Sequence, residues 1–258
     1  MRFGRPLLKA SFLTRENRFR TRVCLDGEEL PAHLPNSGRL SELLWPGQTV
    51  LLSVEKAAHR LTDYDLLMVQ LPHALVSVDA RLPNTLFAEA IGRGALPEFA
   101  GLKVASPEFP YGESRLDFLL EADGGRASCL VEVKSVTLVQ GGVGRFPDAV
   151  TERGRRHLRE LRHARRQGWR AAVVFVLQRQ DAEAFGPHDE SDPRFGETLR
   201  EVVQDGVEAY AYNCRVSPEE VVLNERVPVL LARATQKTGL SPRAGRDGAP
   251  GAATTRAG

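Results

Sequence analysis

Two apolar runs joined by a pair of glycines constrain this chain more than anything else in it. Ser114-Arg115-Leu116-Asp117-Phe118-Leu119-Leu120 and Cys129-Leu130-Val131-Glu132-Val133-Lys134-Ser135-Val136 have the composition of buried strands. Their link, Asp123-Gly124-Gly125-Arg126, has the two-residue centre that a tight hairpin favours. With Gly124-Gly125 as the loop, 123 pairs with 126 and, stepping outward, Asp117 falls opposite Glu132. Side chains two apart on a strand share a face, so Glu132 and Lys134 point the same way. Opposed carboxylates repel unless a cation or a proton lies between them. Oxygen ligands favour Mg²⁺ or Mn²⁺, and the adjacent lysine is placed to orient a water or neutralise a phosphate. A hairpin with solvated charges is the plainer alternative; against it, both carboxylates interrupt runs that are otherwise apolar.

The chain has 258 residues and 42% hydrophobic content, enough for one large or two modest domains, and the change of pattern along it favours two. It holds no apolar run long enough to span a bilayer and no signal pattern at Met1-Arg2-Phe3-Gly4-Arg5, so a cytoplasmic protein without membrane contact is expected. Cys24, Cys129 and Cys214 are widely separated and form no CxxC pair, which reads as reduced thiols rather than a zinc site or a disulfide framework. Net charge is +2, and Lys237, Arg243, Arg246 and Arg256 against Asp247 place the surplus in the last two dozen residues. A case for nucleic acid therefore has to come from local clustering.

From Leu7 to about Leu71 short strand-like runs alternate with turns, among them Arg20 to Leu25, Leu30 to Leu34 and Gln48 to Val54. About five such strands with a brief helical stretch from Arg39 to Leu44 fit a small Greek-key barrel of the OB type, assigned to residues 1–80. Beyond Pro83 helices and strands alternate: a helix from Asn84 to Arg93 closed by Gly94, the hairpin, a long helix from about Ala149 to Gln167, a strand Ala171 to Leu177, a helix Pro193 to Gln204 and a strand Val207 to Tyr212. That order predicts a crossover onto parallel strands and a mixed α/β sheet over residues 81–234. The tail, 235–258, is too poor in apolar residues to order itself and is expected to be a disordered extension.

Further candidates follow from these elements. Glu89, on the helix beginning at Asn84, is a possible third ligand of the ion, though a lone helical Glu is more often simply solvated. Gly144 to Gly154 leads from the acidic strand into the long helix, with Thr151 a natural N-cap. That helix holds Arg153, Arg155, Arg156, Arg159, Arg162, Arg165 and Arg166 against Glu152 and Glu160. Arg155, Arg159, Arg162 and Arg166 recur at helical spacing, a stripe suited to bidentate phosphate contacts, while Leu158 and Leu161 face the core. His33-Leu34-Pro35-Asn36-Ser37-Gly38-Arg39 is a turn whose His33 and Asn36 are weaker nucleic-acid candidates.

Taken together, Arg18-Phe19, His33 to Gly38, Pro83-Asn84, Ser114 to Leu120, Val131-Glu132-Val133-Lys134, Thr137-Leu138 and Phe146-Pro147-Asp148-Ala149-Val150-Thr151-Glu152-Arg153-Gly154 with His157-Leu158 resemble the sugar fermentation stimulation protein A family. The resemblance runs from Phe3 to about Ala211; Leu34, Ser37 and Arg39 depart from the family's usual residues. It implies an OB-like domain followed by a domain similar to the PD-(D/E)xK nucleases, in a DNA-binding protein linked to regulation of sugar (maltose) metabolism. Asp117, Glu132 and Lys134 match the nuclease acid, acid and lysine, and Glu89 the helix acid. The expectation is therefore a DNA-binding protein with Mg²⁺ or Mn²⁺ as its ion and a homodimer as its candidate assembly. Its alternative is an active metal-dependent nuclease that cleaves DNA or RNA, with Asp117, Glu132 and Lys134 catalytic. A sugar-responsive regulator ranks last, because aromatic residues are only 7% of the chain and none cluster to stack on a sugar.

Overall fold

The structure is a computed structural model and describes residues 1–125 and 128–232, so the assignments made for Arg126 and for the tail lie outside the described residues. The first unit contains β1 (Leu8–Asn17), β2 (Arg20–Leu25), β3 (Glu28–His33), β4 (Thr49–Val54) and β5 (Tyr64–Gln70), with a short β6 (Leu75–Ser77) at its rim. Their order is β3-β2-β1-β4-β5-β6, and a parallel bridge between His33 and Asp65 joins β3 to β5, closing the barrel. Alternate residues turn inward, so Phe12, Val23, Ala32, Val50, Leu52 and Leu66 fill the interior. The helical stretch expected from Arg39 to Leu44 is instead a turn in which the amides of Leu43 and Leu44 both donate to the Leu40 carbonyl. Gly38 before it and Pro46 after it leave too little chain for a helix to propagate.

The second unit runs α1 (Leu82–Gly92), β7 (Leu102–Tyr111), β8 (Ser114–Ala122), β9 (Ser128–Val136), β10 (Val139–Gln140), β11 (Val143–Phe146), α2 (Glu152–Arg166), β12 (Arg170–Leu177), β13 (Ala184–Pro187), α3 (Pro193–Gln204), β14 (Glu208–Val216) and β15 (Val221–Val227). The main sheet has the order β15-β14-β12-β9-β8-β7, with β12 parallel to both β9 and β14, so α3 is the crossover between parallel strands. One face packs Val131, Val133 and Val174 against Leu86, Phe87 and Ala90 of α1; the other packs Leu130, Val173 and Phe175 against Leu158 and Leu161 of α2 and Phe195 and Leu199 of α3. β10, β11 and β13 form a small separate sheet.

The two units share a core. The run Leu66-Leu67-Met68-Val69 in β5 is buried on both sides: Leu66 and Val69 fill the barrel, whereas Leu67 and Met68 pack into the cluster of α1 and the main sheet. Polar contacts add to the join. Ser77 is paired to Gln178 through backbone (2.9 Å) and side chain (3.0 Å), and Arg39 N donates to Asp148 Oδ2 at 2.6 Å.

Candidate metal centre

β8 and β9 pair from Glu121 with Ser128 to Phe118 with Val131, and Asp117 and Glu132 are the residues immediately beyond the last rung. Gly124 (φ 85°) and Gly125 (φ 70°) supply the left-handed backbone that a tight turn between the strands requires. At this point the Val133 amide donates to Asp117 Oδ2 (2.7 Å), so a side chain takes the place of a strand carbonyl. Asp117 Oδ1 accepts from Asn84 Nδ2 (2.9 Å), brought in by the first turn of α1.

Glu132 is only 2% exposed. Its Oε1 accepts from Lys134 Nζ and from His157 Nδ1, while its Oε2 is buried with no hydrogen-bond partner. His157 comes from α2, where Gly154, His157, Leu158, Leu161 and Ala164 form the buried face. Arg153 Nε lies 3.4 Å from His157 Nε2, and the ring's other nitrogen, Nδ1, faces Glu132 Oε1. Burial pushes the Asp117 carboxyl above its usual range, the charge on Glu132 adds to this, and Lys134 with the Val133 and Asn84 donors offsets it only in part. Burial acts on Glu132 as well, but Lys134 and His157 together outweigh it and hold that carboxyl below its usual value. Beside a carboxylate thus kept ionised, a second one is disfavoured unless positive charge arrives.

The donor set fits a hard divalent cation. A buried carboxylate oxygen without a partner costs desolvation energy that ligation would recover. Among the described residues no group of three or more His, Cys, Asp or Glu is placed to hold a metal ion, so the protein's share of the shell is the two carboxylates. Two carboxylates suit Mg²⁺ or Mn²⁺, which keep several waters and share their shell with substrate phosphate.

The other expected residues lie elsewhere. Glu89 does not join Asp117: its carboxylate accepts from the Met1 amino group (2.9 Å) and lies 3.8 Å from Arg93, because α1 turns Asn84, not Glu89, toward β8. Arg155 is no phosphate contact, being 5% exposed and bound to Asp192 at 2.6 and 2.7 Å. The rest of the stripe is also engaged: Arg159 with Glu152 (3.2 Å), Arg162 with Asp205 (2.5 Å) and Arg166 with Asp205 (2.8 Å). Asn36 is a turn residue, its Nδ2 donating to the Val78 carbonyl and its Oδ1 accepting from Gly38 N. Arg153 stays exposed at the site's edge, and His33 is half-buried beside Phe19 with ring centroids 6.3 Å apart. Asn84 and His157 carry no role in the sequence reading. For His157 the signal was available, since counting inward from the Thr151 cap puts it on the face of Leu158 and Leu161.

A closed OB barrel leading into a mixed α/β sheet, with Asp117, Glu132 and Lys134 where two strands part, defines a two-module protein. Two family models match it, "SfsA N-terminal OB domain" over residues 13–78 and "Sugar fermentation stimulation protein RE domain" over residues 81–220. The chain is 48% identical over 226 residues to the sugar fermentation stimulation protein homolog of Moorella thermoacetica, covering 87% of this chain and 97% of that one. It is 50% identical to the homolog of Symbiobacterium thermophilum, covering 88% and 96%. The structure of Pyrococcus furiosus SfsA in complex with Ca²⁺ matches with a TM-score of 0.82 at 33% identity, covering 89% of this chain and 98% of that one. The chain belongs to the sugar fermentation stimulation protein (SfsA) family.

Proposed function

We propose that this protein binds nucleic acid and cleaves its phosphodiester bonds with the help of a divalent cation. The observation that carries the reading is the buried, unpartnered Oε2 of Glu132 beside a second carboxylate, Asp117. That a relative of the same fold was solved with Ca²⁺ supports it. Asp117 and Glu132 would hold the ion. When bound, Mg²⁺ or Mn²⁺ supplies charge for the phosphorane-like transition state and a more acidic water. His157 and Lys134 anchor Oε1 of Glu132 and leave Oε2 for ligation. Lys134, 12% exposed at its side chain, would hold the attacking water or a phosphate oxygen once Glu132 is shared with a cation. Arg153 offers a guanidinium at the rim for the neighbouring phosphate.

The test is incubation with single- and double-stranded DNA and RNA in Mg²⁺, Mn²⁺ or EDTA. Cutting is expected with either ion, lost in EDTA and lost in Asp117→Asn and Glu132→Gln. The second reading, a DNA-binding regulator linked to sugar metabolism, draws on the family's name; retained DNA binding with no cleavage in any ion would favour it.

A further inference from the structure

Two depressions lie on either side of the β1–β2 turn. The outer one is lined by Phe19 and His33 together with Leu61 from the β4–β5 connection. Phe19 is 46% and Leu61 90% exposed, an arrangement that leaves ring and aliphatic surface open to water. The inner one, a cleft of about 410 Å³, has Arg18, Ser37 and Arg39 on the barrel side and Ser135, Thr137 and Arg145 on the other. Ser135 follows Lys134 directly, and Thr151, which caps the helix carrying His157, also borders the cleft. Arg18 lines the inner depression and lies in the chain between Asn17 and Phe19, which line the outer one.

We propose that these depressions form one track for a single-stranded nucleic acid, its bases stacking on Phe19 and His33 and its phosphates passing Arg18 and Arg39 toward Lys134. The inference rests on the nucleic-acid reading above and deepens it by choosing the strandedness. The β1–β2 and β4–β5 loops of an OB barrel are the ones that take oligonucleotides or oligosaccharides. Charge decides between these. Arg20 and Arg60, which also line the outer depression, are held by Glu16 and Asp65, whereas the guanidinium groups of Arg18 and Arg39 have no ion-pair or hydrogen-bond partner among the described residues. Arg145 has only a long contact of 3.5 Å to the Pro187 carbonyl. The acid lining the cleft is Asp148, with Glu42 beside it; Asp148 is bound to the Arg39 amide, and burial, followed by the charge of Asp148, pushes the Glu42 carboxyl up, toward its neutral form. Unpaired bases offer the ring faces that Phe19 can stack on; a duplex keeps them inside. A cleft of about 410 Å³ is also the size of a pocket enclosing one small molecule, which admits a nucleotide or two in single file.

The test is fluorescence anisotropy in EDTA, with labelled oligo-dT and oligo-rU of twelve nucleotides, a DNA duplex of the same length and a neutral glucan oligomer. Both single strands should bind more tightly than the duplex. Phe19→Ala, exposed enough to leave the fold intact, should weaken single-strand binding by about 10-fold and leave the duplex unaffected. Arg18→Ala with Arg39→Ala should flatten the salt dependence, lowering the slope of log K against log salt by about 1.4, as two fewer phosphate contacts demand. Arg166→Ala serves as the control and should change neither. Equal or tighter binding of duplex, binding of glucan in place of nucleic acid, or indifference to both variants overturns the track. Because binding is read without metal, the two readings fail separately. Ion-dependent cutting untouched by these variants leaves the nuclease and removes the track. The expected binding shifts in a protein that cuts nothing leave the track and remove the nuclease.

Discussion

Glu132 is the residue on which the site turns, because one of its oxygens is spent on Lys134 and His157 and the other on nothing. A ligand that binds only the folded state stabilises it by about 2.7 kcal/mol at a hundred times its dissociation constant. Thermal denaturation with Mg²⁺ or Mn²⁺ at that excess should therefore raise the melting temperature of the wild type and not that of Asp117→Asn. His157→Ala frees the Glu132 side chain to rotate and should weaken ion binding about 10-fold, as loss of a supporting hydrogen bond to a metal ligand does; calorimetric titration checks this. The thiols give an independent check on burial. Desolvation pushes Cys129 and Cys214 up to about 12, so iodoacetamide at pH 8 should label Cys24 and spare the other two, as read by peptide mass. The acids and the lysine were legible because charge inside an apolar strand is conspicuous. Asn84 was not, since a short amide at the start of a helix looks the same whether it meets Asp117 or water.

At the scale of elements, α2 shows how far periodicity reaches. Spacing placed Arg155, Arg159, Arg162 and Arg166 along the helix correctly, but what lies opposite a face is a tertiary fact. Here it is acids: Asp192, which caps α3 through Phe195 N, and Glu201 and Asp205 at its far end, with Glu152 on α2 itself. Arg155, Arg162 and Arg166 fasten α2 to the two ends of α3. Asp192→Ala should cost about 3 kcal/mol in chemical denaturation, because it leaves buried Arg155 with only the exposed Glu152 as a partner and α3 without its cap. Arg166→Gln, at an exposed pair, should change stability little. Across the sheet, Arg170 of β12 grips Glu208 of β14. Burial opposes ionisation of Glu208, but Arg170 and the Tyr210 hydroxyl outweigh it and depress the carboxyl. A depressed acid gives stability that is complete above its unfolded value and lost as pH falls through its folded one. The melting difference between wild type and Glu208→Gln should then hold steady from pH 8 to 6 and shrink below the ordinary carboxylate range. Helix α3 was read with its final bounds because Asp192-Pro193 announces its start. β7 and β15 escaped notice because they are the two edges of the main sheet; half-exposed, and in β7 broken by Pro107 and Pro110, they lack a buried strand's pattern.

For the whole molecule, the break in character near residue 80 was visible in the chain, and the barrel and the α/β sheet fall on either side of it. Their joint core was not visible, because the apolar run of β5 reads the same whether one or both of its faces are covered. Leu67 and Met68 commit the barrel to α1, so calorimetry should give one cooperative transition; two separated ones would contradict the packing. Leu67→Asp should destabilise both units together, as monitored by near-ultraviolet signals from Trp45 in the first and Trp169 in the second. Welding of this kind fixes more than stability. Ser37 and Thr137 sit on units that share this core, so the gap between them should keep one width, and the proposed track should then select strands by girth.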